Sequence, residues 1–298
     1  MSITIGVDVG GTKILAGAVD QDGRILATVR RQSPSHDYKD LIVEIIQAVK
    51  EVAVGREVSA VGVGIAGQVT FDGEVLSSPN LGIELAPVRA DMEAALGMSV
   101  HVENDATVAM YGEYRCGGGR GEEFLLLITV GTGVGMGLLA NGEVYRGKFG
   151  LAGEPGHMIL IPGGRDCPCG RQGCWERYAS GTALGPAVEA YGSPEALLEA
   201  AQAGDPEAVL AYATIGRWLG LGIANLCAIL DPGKVLIGGG VCAAGDLLLG
   251  PLREEFNREL TGRDQRPEIR IEAAQLGEQA AVVGAALFAA QYAAQPKV

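Results

Sequence analysis

Residues 3–19 read ITIGVDVGGTKILAGAV, and this stretch decides the fold. Apolar side chains alternate up to Val9, a glycine turn follows at Gly10–Gly11, and a second apolar run starts at Ile14. Alternation on both sides of a short glycine turn predicts two antiparallel strands. The next turn, Asp22–Gly23, precedes another alternating run, so the chain is predicted to open with a three-strand meander.

The same pattern returns at residues 124–140, which read FLLLITVGTGVGMGLLA. The uncharged run at 124–142 approaches the length of a membrane span, but its glycines at alternate positions favour strand, turn and strand over a membrane helix. The recurrence predicts two related α/β lobes. We expect a small lobe at 1–115 and a large lobe at 116–279, with a C-terminal helix at 280–298 that packs back on the small lobe.

Hydrophobic periodicity predicts the other elements. Those outside the two meanders are helices at 38–54, 91–96, 106–114, 193–203, 205–230, 246–260 and 278–292, and strands at 58–65, 99–102 and 234–237.

Composition excludes several classes of protein. The chain has 298 residues, of which 48% are hydrophobic and 20% charged, so it is not disordered. Its 23 Lys and Arg against 36 Asp and Glu give a net charge of -13, which argues against a nucleic-acid partner. The opening residues lack the basic and apolar regions of a signal peptide, so we expect a cytoplasmic protein with no membrane partner.

Three glycine turns at strand ends are candidates for phosphate or nucleotide binding. Glycines allow backbone amides to approach phosphate oxygens, Thr and Lys add donors, and an Asp at a strand end could hold Mg²⁺ through water. Each turn alone could also be an ordinary hairpin. The candidate residues are Asp8, Gly10, Gly11, Thr12 and Lys13 in the first turn, Thr132 and Gly133 in the second, and Gly238, Gly239 and Gly240 in the third.

Gly62, Gly64 and Gly67 match a dinucleotide-binding fingerprint, G-x-G-x-x-G. That fingerprint requires a helix directly after it. The next residues, QVTFDGEVL at 68–76, predict a hairpin instead. The sequence therefore argues against a nicotinamide site here.

A compact set of metal ligands lies in GHMILIPGGRDCPCGRQGC, residues 156–174. His157, Cys167, Cys169 and Cys174 offer one imidazole and three thiolates, a set that closes a tetrahedral Zn²⁺ site. Four protein ligands leave no open position, so this zinc would be structural. The alternative is three unrelated buried thiols, which the grouping of three cysteines within eight residues disfavours.

Amide and carboxylate side chains suit the recognition of sugar hydroxyls, since each hydroxyl both donates and accepts a hydrogen bond. The candidates are Asn80, Asn104, Asp105, Glu154 and Glu176. Asp105, at the end of a strand, could act as a base toward a hydroxyl. Asn104 and Asp105 could equally cap the following helix, and Glu176 could be a surface carboxylate.

These motifs together resemble the ROK family of sugar kinases, and most closely its bacterial glucokinases. The resemblance runs over nearly the whole chain. It rests on DVGGTK at 8–13, END at 103–105, VGTGVGMG at 130–137, GEPGH at 153–157 and CPCGRQGCWE at 167–176.

The resemblance implies the actin-like ATPase fold, which is ribonuclease H-like and has two α/β lobes around a central cleft. It implies that MgATP phosphorylates a hexose, with glucose expected, at the 6-hydroxyl. Asp105 matches the catalytic base. The sugar-binding positions are matched by Asn80, Asn104, Asp105, Glu154, His157 and Glu176, and the zinc ligands by His157, Cys167, Cys169 and Cys174.

The three glycine turns match the family's nucleotide side. His157 would bind zinc through one ring nitrogen and face the sugar with the other. The family also suggests a homodimer or a tetramer.

Three other functions stay open at this point. The first is kinase activity on fructose, mannose or N-acetylmannosamine, because the stretch LGIEL at 81–85 lacks the aromatic residue common there in the family. The second is a sugar-sensing repressor, which the acidic charge and the early first turn disfavour. The third is a non-catalytic actin-like ATPase or chaperone, which the sugar-binding set disfavours.

Overall fold

The computed structural model of the protein describes residues 3–34 and 37–293. The strands of the described chain are β1 (Ile3–Val9), β2 (Lys13–Val19), β3 (Ile25–Gln32), β4 (Val58–Ile65), β5 (Gln68–Val69), β6 (Val75–Ser78), β7 (Ile83–Ala86), β8 (Val100–Asn104), β9 (Leu125–Val130), β10 (Val134–Ala140), β11 (Glu143–Val144), β12 (Lys234–Gly238) and β13 (Arg270–Ala273).

Its helices are α1 (Tyr38–Ala53), α2 (Val88–Leu96), α3 (Asp105–Cys116), α4 (Glu176–Ala179), α5 (Gly185–Tyr191), α6 (Pro194–Gln202), α7 (Pro206–Leu230), α8 (Asp246–Glu259) and α9 (Ala280–Ala293). The predicted helices after residue 190 match α6 to α9 within two residues at each end. Residues 294–298, the end of the C-terminal helix that the lobe prediction places at 280–298, lie outside the described residues.

The first sheet has the order β3-β2-β1-β4-β8. The meander predicted from the opening residues is confirmed, because β1 pairs antiparallel with β2, and β2 with β3. β4 runs parallel to both β1 and β8. Val9, Ile65 and Asn104 stand in register, so the carboxyl ends of these three strands meet at one edge of the sheet.

The second sheet repeats this arrangement in the order β11-β10-β9-β12-β13. Its parallel part is formed by β9, β12 and β13, and its hairpin strand β10 is followed by β11. The pattern of strand, turn and strand predicted at 124–140 is therefore confirmed by β9 and β10. The sequence missed β13, whose four residues bury little apolar surface.

Contacts divide the chain into two compact units. The first contains Met1–Glu123, Gly137–Gly153 and Gln275–Val298, and the second contains Phe124–Met136 and Glu154–Ala274. The boundary between a small lobe at 1–115 and a large lobe at 116–279 stays a prediction.

The first unit is built around α9, a helix that is mostly apolar and mostly buried. A Cβ atom added to Gly62 on β4 would lie 1.9 Å from the carbonyl oxygen of Ala285 on α9. One added to Gly284 would lie 1.7 Å from the carbonyl oxygen of Val108 on α3. The absence of side chains at these positions lets α9 pack against both the sheet and α3, and close packing of this kind leaves no room for a methyl group.

The pattern at Gly62, Gly64 and Gly67 is not followed by a helix. Residues after Gly67 form β5 and β6, which pair antiparallel. The prediction of a hairpin at this position is confirmed, and Gly62 serves the packing of α9 instead of a cofactor.

One described helix, α7, is long and apolar enough to cross a membrane by length and composition alone. In its most apolar window, 56% of the residues are buried inside the protein. Core helices of soluble proteins pass the same test, so this helix is weak evidence for a membrane span.

Candidate functional site

The turn between β1 and β2 presents the first predicted nucleotide-binding residues. The Gly10 amide donates to the Lys13 carbonyl oxygen at 3.0 Å, which closes a tight hairpin. A Cβ atom on Gly11 would lie 3.2 Å from the carbonyl oxygen of Asn80, so the structure brings the exposed Asn80 next to this turn. Thr12 is exposed at its tip.

Lys13 has an acidic partner, Glu278, that the sequence did not predict. Its Nζ donates to Oε2 of Glu278 at 3.0 Å, and Arg30 Nη2 donates to the same carboxylate oxygen at 2.9 Å. These hydrogen bonds lower the pKa of Glu278, with the one from Lys13 contributing most. The cation of the first turn is therefore already paired within the first unit.

Asn104 and Asp105 lie where β8 ends and α3 begins. Asn104 caps the helix, since its Oδ1 accepts from the Thr107 amide at 3.0 Å, and its Nδ2 donates to the Gly67 carbonyl oxygen at 3.1 Å. The capping role that the sequence left open is thus observed for Asn104. An amide group has further donor and acceptor capacity, which stays available to a ligand.

Asp105 is the first residue of α3, and its Oδ1 accepts from the Ala106 amide at 2.8 Å. Burial raises its pKa above the ordinary value of an aspartate, and the hydrogen bonds from backbone amides oppose this rise. A carboxyl group at a helix N-terminus faces unpaired amides and the positive end of the helix dipole, which stabilise its ionised form.

Asp8 sits at the end of β1, on the same sheet edge as Asp105. Burial raises the pKa of Asp8 to about 7, and the negative charge of Asp105 adds to this rise while Lys13 opposes it. Two buried carboxyl groups near each other destabilise each other's ionised form. A cation bound at this edge of the sheet would relieve that repulsion, and carboxylate oxygens are ligands that Mg²⁺ prefers.

In the second unit, two of the predicted glycine turns lie side by side. Gly239 has a φ of +92°, and a Cβ atom on it would lie 2.4 Å from the carbonyl oxygen of Val130 at the end of β9. Only glycine fits both this backbone conformation and this contact. The turn that contains Thr132 and Gly133 begins one residue later, so both turns open at the ends of the parallel strands β9 and β12.

The turn at Thr132 is anchored by the segment that follows α4. The Gly181 amide donates to the Gly131 carbonyl oxygen at 2.7 Å, and Thr182 Oγ1 donates to the Thr132 carbonyl oxygen at 2.6 Å. A Cβ atom on Gly133 would lie 2.6 Å from Oε2 of Glu176. These contacts hold the turn in a defined position before any ligand binds.

The structure brings the four predicted metal ligands together. One ligand atom from each of His157, Cys167, Cys169 and Cys174 lies within 4.8 Å of the others. Nδ1 of His157 is 3.8 Å from Sγ of Cys167, and the sulfur atoms of Cys169 and Cys174 are 3.5 Å apart. A tetrahedral site with a Zn–S bond of ~2.3 Å separates its sulfur ligands by about 3.8 Å, so the donor set and the spacing fit Zn²⁺.

Nearby side chains link this cluster to the rest of the second unit. Trp175 is completely buried, and its Nε1 donates to the Trp218 carbonyl oxygen on α7 at 2.7 Å. Glu176 Oε1 lies 3.3 Å from Cys167 Sγ and 3.5 Å from His157 Nδ1. The carboxylate of Glu176 therefore touches both the cysteine cluster and the glycine turn at 133, a position that the sequence did not predict.

His157 and Glu154 are joined through a short 3-10 turn at Pro155–His157. The His157 amide donates to the Glu154 carbonyl oxygen at 3.2 Å, and the Glu154 residue is exposed. Because Nδ1 of His157 faces Sγ of Cys167, Nε2 is the ring nitrogen left for another ligand. This orientation agrees with the double role that the family resemblance implies.

Comparisons with known proteins agree with these observations. The family model described as ROK family matches residues 4–292. A glucokinase of Streptomyces coelicolor is 41% identical, with 96% of this chain and 97% of that protein covered.

Two solved structures resemble the chain over nearly its full length. A ROK family glucokinase from Streptomyces griseus in complex with glucose and AMPPNP has a TM-score of 0.91 and 41% identity, covering 97% of this chain and 100% of that one. A ROK hexokinase from Thermus thermophilus has a TM-score of 0.83 and 36% identity, covering 97% and 98%. The two sheets with their helices are accordingly those of the actin-like ATPase fold, and the chain belongs to the ROK family.

Proposed function

We propose that this protein is a glucokinase, which transfers the γ-phosphoryl group of ATP to the 6-hydroxyl of glucose and releases glucose 6-phosphate and ADP. The observation that carries the proposal is the position of Asp105, at the N-terminus of α3 and on the same sheet edge as Asp8. The identity of 41% with a glucokinase over nearly the full length supports glucose as the substrate.

Asp105 is proposed as the general base. The 6-hydroxyl oxygen attacks the γ-phosphorus, its proton passes to the carboxylate of Asp105, and the bond from phosphorus to the bridging oxygen of ADP breaks. A base with a raised pKa holds the proton more firmly once it has accepted it, and burial provides this shift here. Phosphoryl transfer needs little other chemistry from the protein, so positioning dominates.

The sugar is proposed to bind through side chains that both donate and accept hydrogen bonds. The proposed set is Asn80, Asn104, Asp105, Glu154, His157 and Glu176. In the first unit, Asn104 is held rigidly by the helix cap and by Gly67. A rigid amide loses little entropy when a hydroxyl binds it, which favours affinity.

ATP is proposed to bind the three glycine turns, through Asp8, Gly10, Gly11, Thr12, Lys13, Thr132, Gly133, Gly238, Gly239 and Gly240. Mg²⁺, when bound with ATP, would neutralise phosphate charge, and Asp8 is the residue proposed to hold it through water. The turn amides and Lys13 add positive potential, which matters because the net charge of -13 repels ATP at long range.

Zn²⁺ is proposed to be structural and to be held by His157, Cys167, Cys169 and Cys174. The metal would fix the ring of His157 and the start of α4, and with them Glu176. Zinc would therefore act on both sugar and nucleotide binding without taking part in phosphoryl transfer.

We also infer that the protein is cytoplasmic and forms a homo-oligomer, a dimer or a tetramer. Light scattering coupled to size-exclusion chromatography would test the oligomeric state.

A panel of sugars in a coupled assay for ADP tests the proposal. We expect glucose to have the highest kcat/KM among glucose, fructose, mannose and N-acetylmannosamine. A parallel assay with polyphosphate in place of ATP would test the phosphoryl donor. ADP release that does not depend on sugar would contradict the proposal and favour the alternative of an actin-like ATPase or chaperone.

Kinase activity on another hexose is the second candidate. The similarity to a ROK hexokinase at 36% identity supports it. A higher kcat/KM for mannose or fructose than for glucose would establish this candidate and leave the proposed chemistry of Asp105 intact.

A further inference from the structure

The residue before the proposed sugar-binding pair is a buried acid. Glu103 on β8 is 2% exposed, and its Oε1 accepts from the Asn104 amide at 2.9 Å. Its Oε2 accepts from Nη1 of Arg146 at 2.6 Å. Burial raises the pKa of Glu103, and the charge of Arg146 opposes that rise. Arg146 thus stabilises the ionised carboxylate of Glu103. That carboxylate in turn holds the backbone amide of Asn104 through a hydrogen bond.

Arg146 reaches this position from the segment that follows β11 in the first unit. Its side chain is only 11% exposed, and its Nη2 donates to the Tyr292 hydroxyl on α9 at 2.7 Å. The guanidinium group lies 4.4 Å from the ring centre of Phe71 and 5.6 Å from that of Phe288. Aromatic faces attract a cation and exclude water from it. Arg146 is therefore clamped between three segments of the unit, with its charge directed at Glu103.

His101, which also lies on β8, does not supply a positive charge for Glu103. His101 stacks on Tyr292, with ring centres 4.4 Å apart, and burial lowers its pKa to about 3. The imidazole is therefore neutral. Among the described residues, Arg146 is the cation recorded within salt-bridge distance of Glu103.

We propose that Arg146 is a positioning residue for the catalytic end of β8, acting through Glu103 on the backbone of Asn104 and Asp105. This inference rests on the proposed function. A guanidinium group makes two directed hydrogen bonds at once, here to Glu103 and to Tyr292, which an ammonium group reproduces poorly. Loss of Arg146 leaves a buried carboxylate without a counter-charge two residues from the base.

The test replaces Arg146 by Met, which retains apolar contact with the aromatic rings. We expect the R146M variant to lose at least about tenfold in kcat, since a misplaced reacting group costs up to ~100-fold, with an unchanged KM for ATP. Removing the orphaned charge as well should rescue activity, so the E103Q/R146M double variant should be clearly faster than R146M. R31M makes the same Arg-to-Met change at an arginine paired with Glu44 and Glu51 on α1, and this control should retain kcat within about twofold.

Hydrogen exchange of the amides at 104–107 gives a readout that needs no substrate. It should be faster in R146M than in the wild type and restored in the double variant. Inactivity of the wild-type protein on glucose would defeat the proposed function, while exchange would still test Arg146. Wild-type kcat and exchange in R146M, or a double variant no faster than R146M, would overturn the inference. Should R146M be insoluble, R146K retains the charge without the two directed hydrogen bonds, and wild-type kcat and exchange in R146K would overturn the inference.

Discussion

The Nζ atom of Lys13 lies 3.0 Å from Oε2 of Glu278, so the lysine of the first glycine turn is paired with a residue 265 positions later in the chain. Both side chains are partly exposed, at 35% and 57%. An exposed ion pair contributes about 0–1 kcal/mol. Lys13 could therefore leave Glu278 at little cost in free energy and pair with the phosphates of ATP instead.

Replacing Glu278 by Gln should make Lys13 more available to ATP. We expect the KM for ATP to fall by up to about fivefold, which corresponds to ~1 kcal/mol, with kcat unchanged. Steady-state kinetics at low and high salt would measure this, and added salt should shrink the difference because it screens exposed charges. E44Q, which breaks the pair between Arg31 and Glu44 on α1, is the control and should leave the KM as it is. A higher KM in E278Q would show instead that Glu278 orients the lysine.

Replacing Asp105 by Asn should abolish most of the turnover and preserve the binding of glucose. The amide cannot accept the proton, and removal of a general base costs at least ~100-fold. Calorimetric titration with glucose and a coupled assay would measure the two effects separately. D40N alters an exposed aspartate in the first turn of α1 and should behave as the wild type. Near-normal turnover in D105N would refute the assignment of the base.

Replacing Asp8 by Asn should stabilise the protein in a pH-dependent way. The folded-state pKa of Asp8 is about 7, against 3.8 in its ordinary environment, so the folded protein binds this proton more tightly than the unfolded chain. Stability contributed by the protonated form is complete below pH 4 and is lost as pH rises toward 7.

We therefore expect D8N to raise the melting temperature at pH 8 and to change it little at pH 4. Thermal melts without added Mg²⁺ would measure this, because the cation would stabilise the wild-type carboxylate. A gain in melting temperature of equal size at both pH values would contradict the charge-based explanation.

Replacing Cys169 by Ser should release the metal. We expect at least about tenfold weaker zinc binding, together with weaker glucose affinity through His157 and Glu154. Nucleotide affinity should fall as well, because Glu176 touches the cluster and the turn at Gly133. Atomic absorption and calorimetric titration would measure these changes. C116S, a thiol outside the cluster, should retain the metal, and an unchanged zinc content in C169S would rule out the proposed ligand set.

Replacing Gly284 by Ala should destabilise the first unit. The added methyl group would overlap the carbonyl oxygen of Val108, and overpacking of this kind costs about 1–3 kcal/mol. Denaturant unfolding would measure the loss. G250A on α8 is a matched control, since nothing lies within 4 Å of its Cβ position, and such a change from glycine to alanine stabilises a protein by about 0.4–1 kcal/mol. Equal stability of G284A and the wild type would show that α9 can shift.

The sequence predicted those parts of the site that depend on neighbours along the chain. Periodicity and a two-residue turn suffice for the hairpin at Asp8–Lys13, and eight residues contain the cysteines that meet at the metal cluster. Pairs distant in sequence leave no such local signal. Glu278 follows Lys13 by 265 positions and Arg146 follows Glu103 by 43, so only the folded chain reveals them.

The sequence also does not show why a glycine is needed at a given position. Gly62 fits a cofactor fingerprint by spacing, yet the space beside it is occupied by the backbone of α9. A pattern of glycines records where atoms come close without saying whether the other partner is a ligand or a helix.

The packing of α9 against β4 and α3 has a consequence for biosynthesis. A ribosome makes this helix after every other described element, so the first sheet emerges long before its principal apolar cover. Until then the nascent chain must leave Gly62 and its neighbours open to water or to a chaperone. Contacts between such distant segments are slow to form, so the core of the first unit should be completed only after α9 has been synthesised.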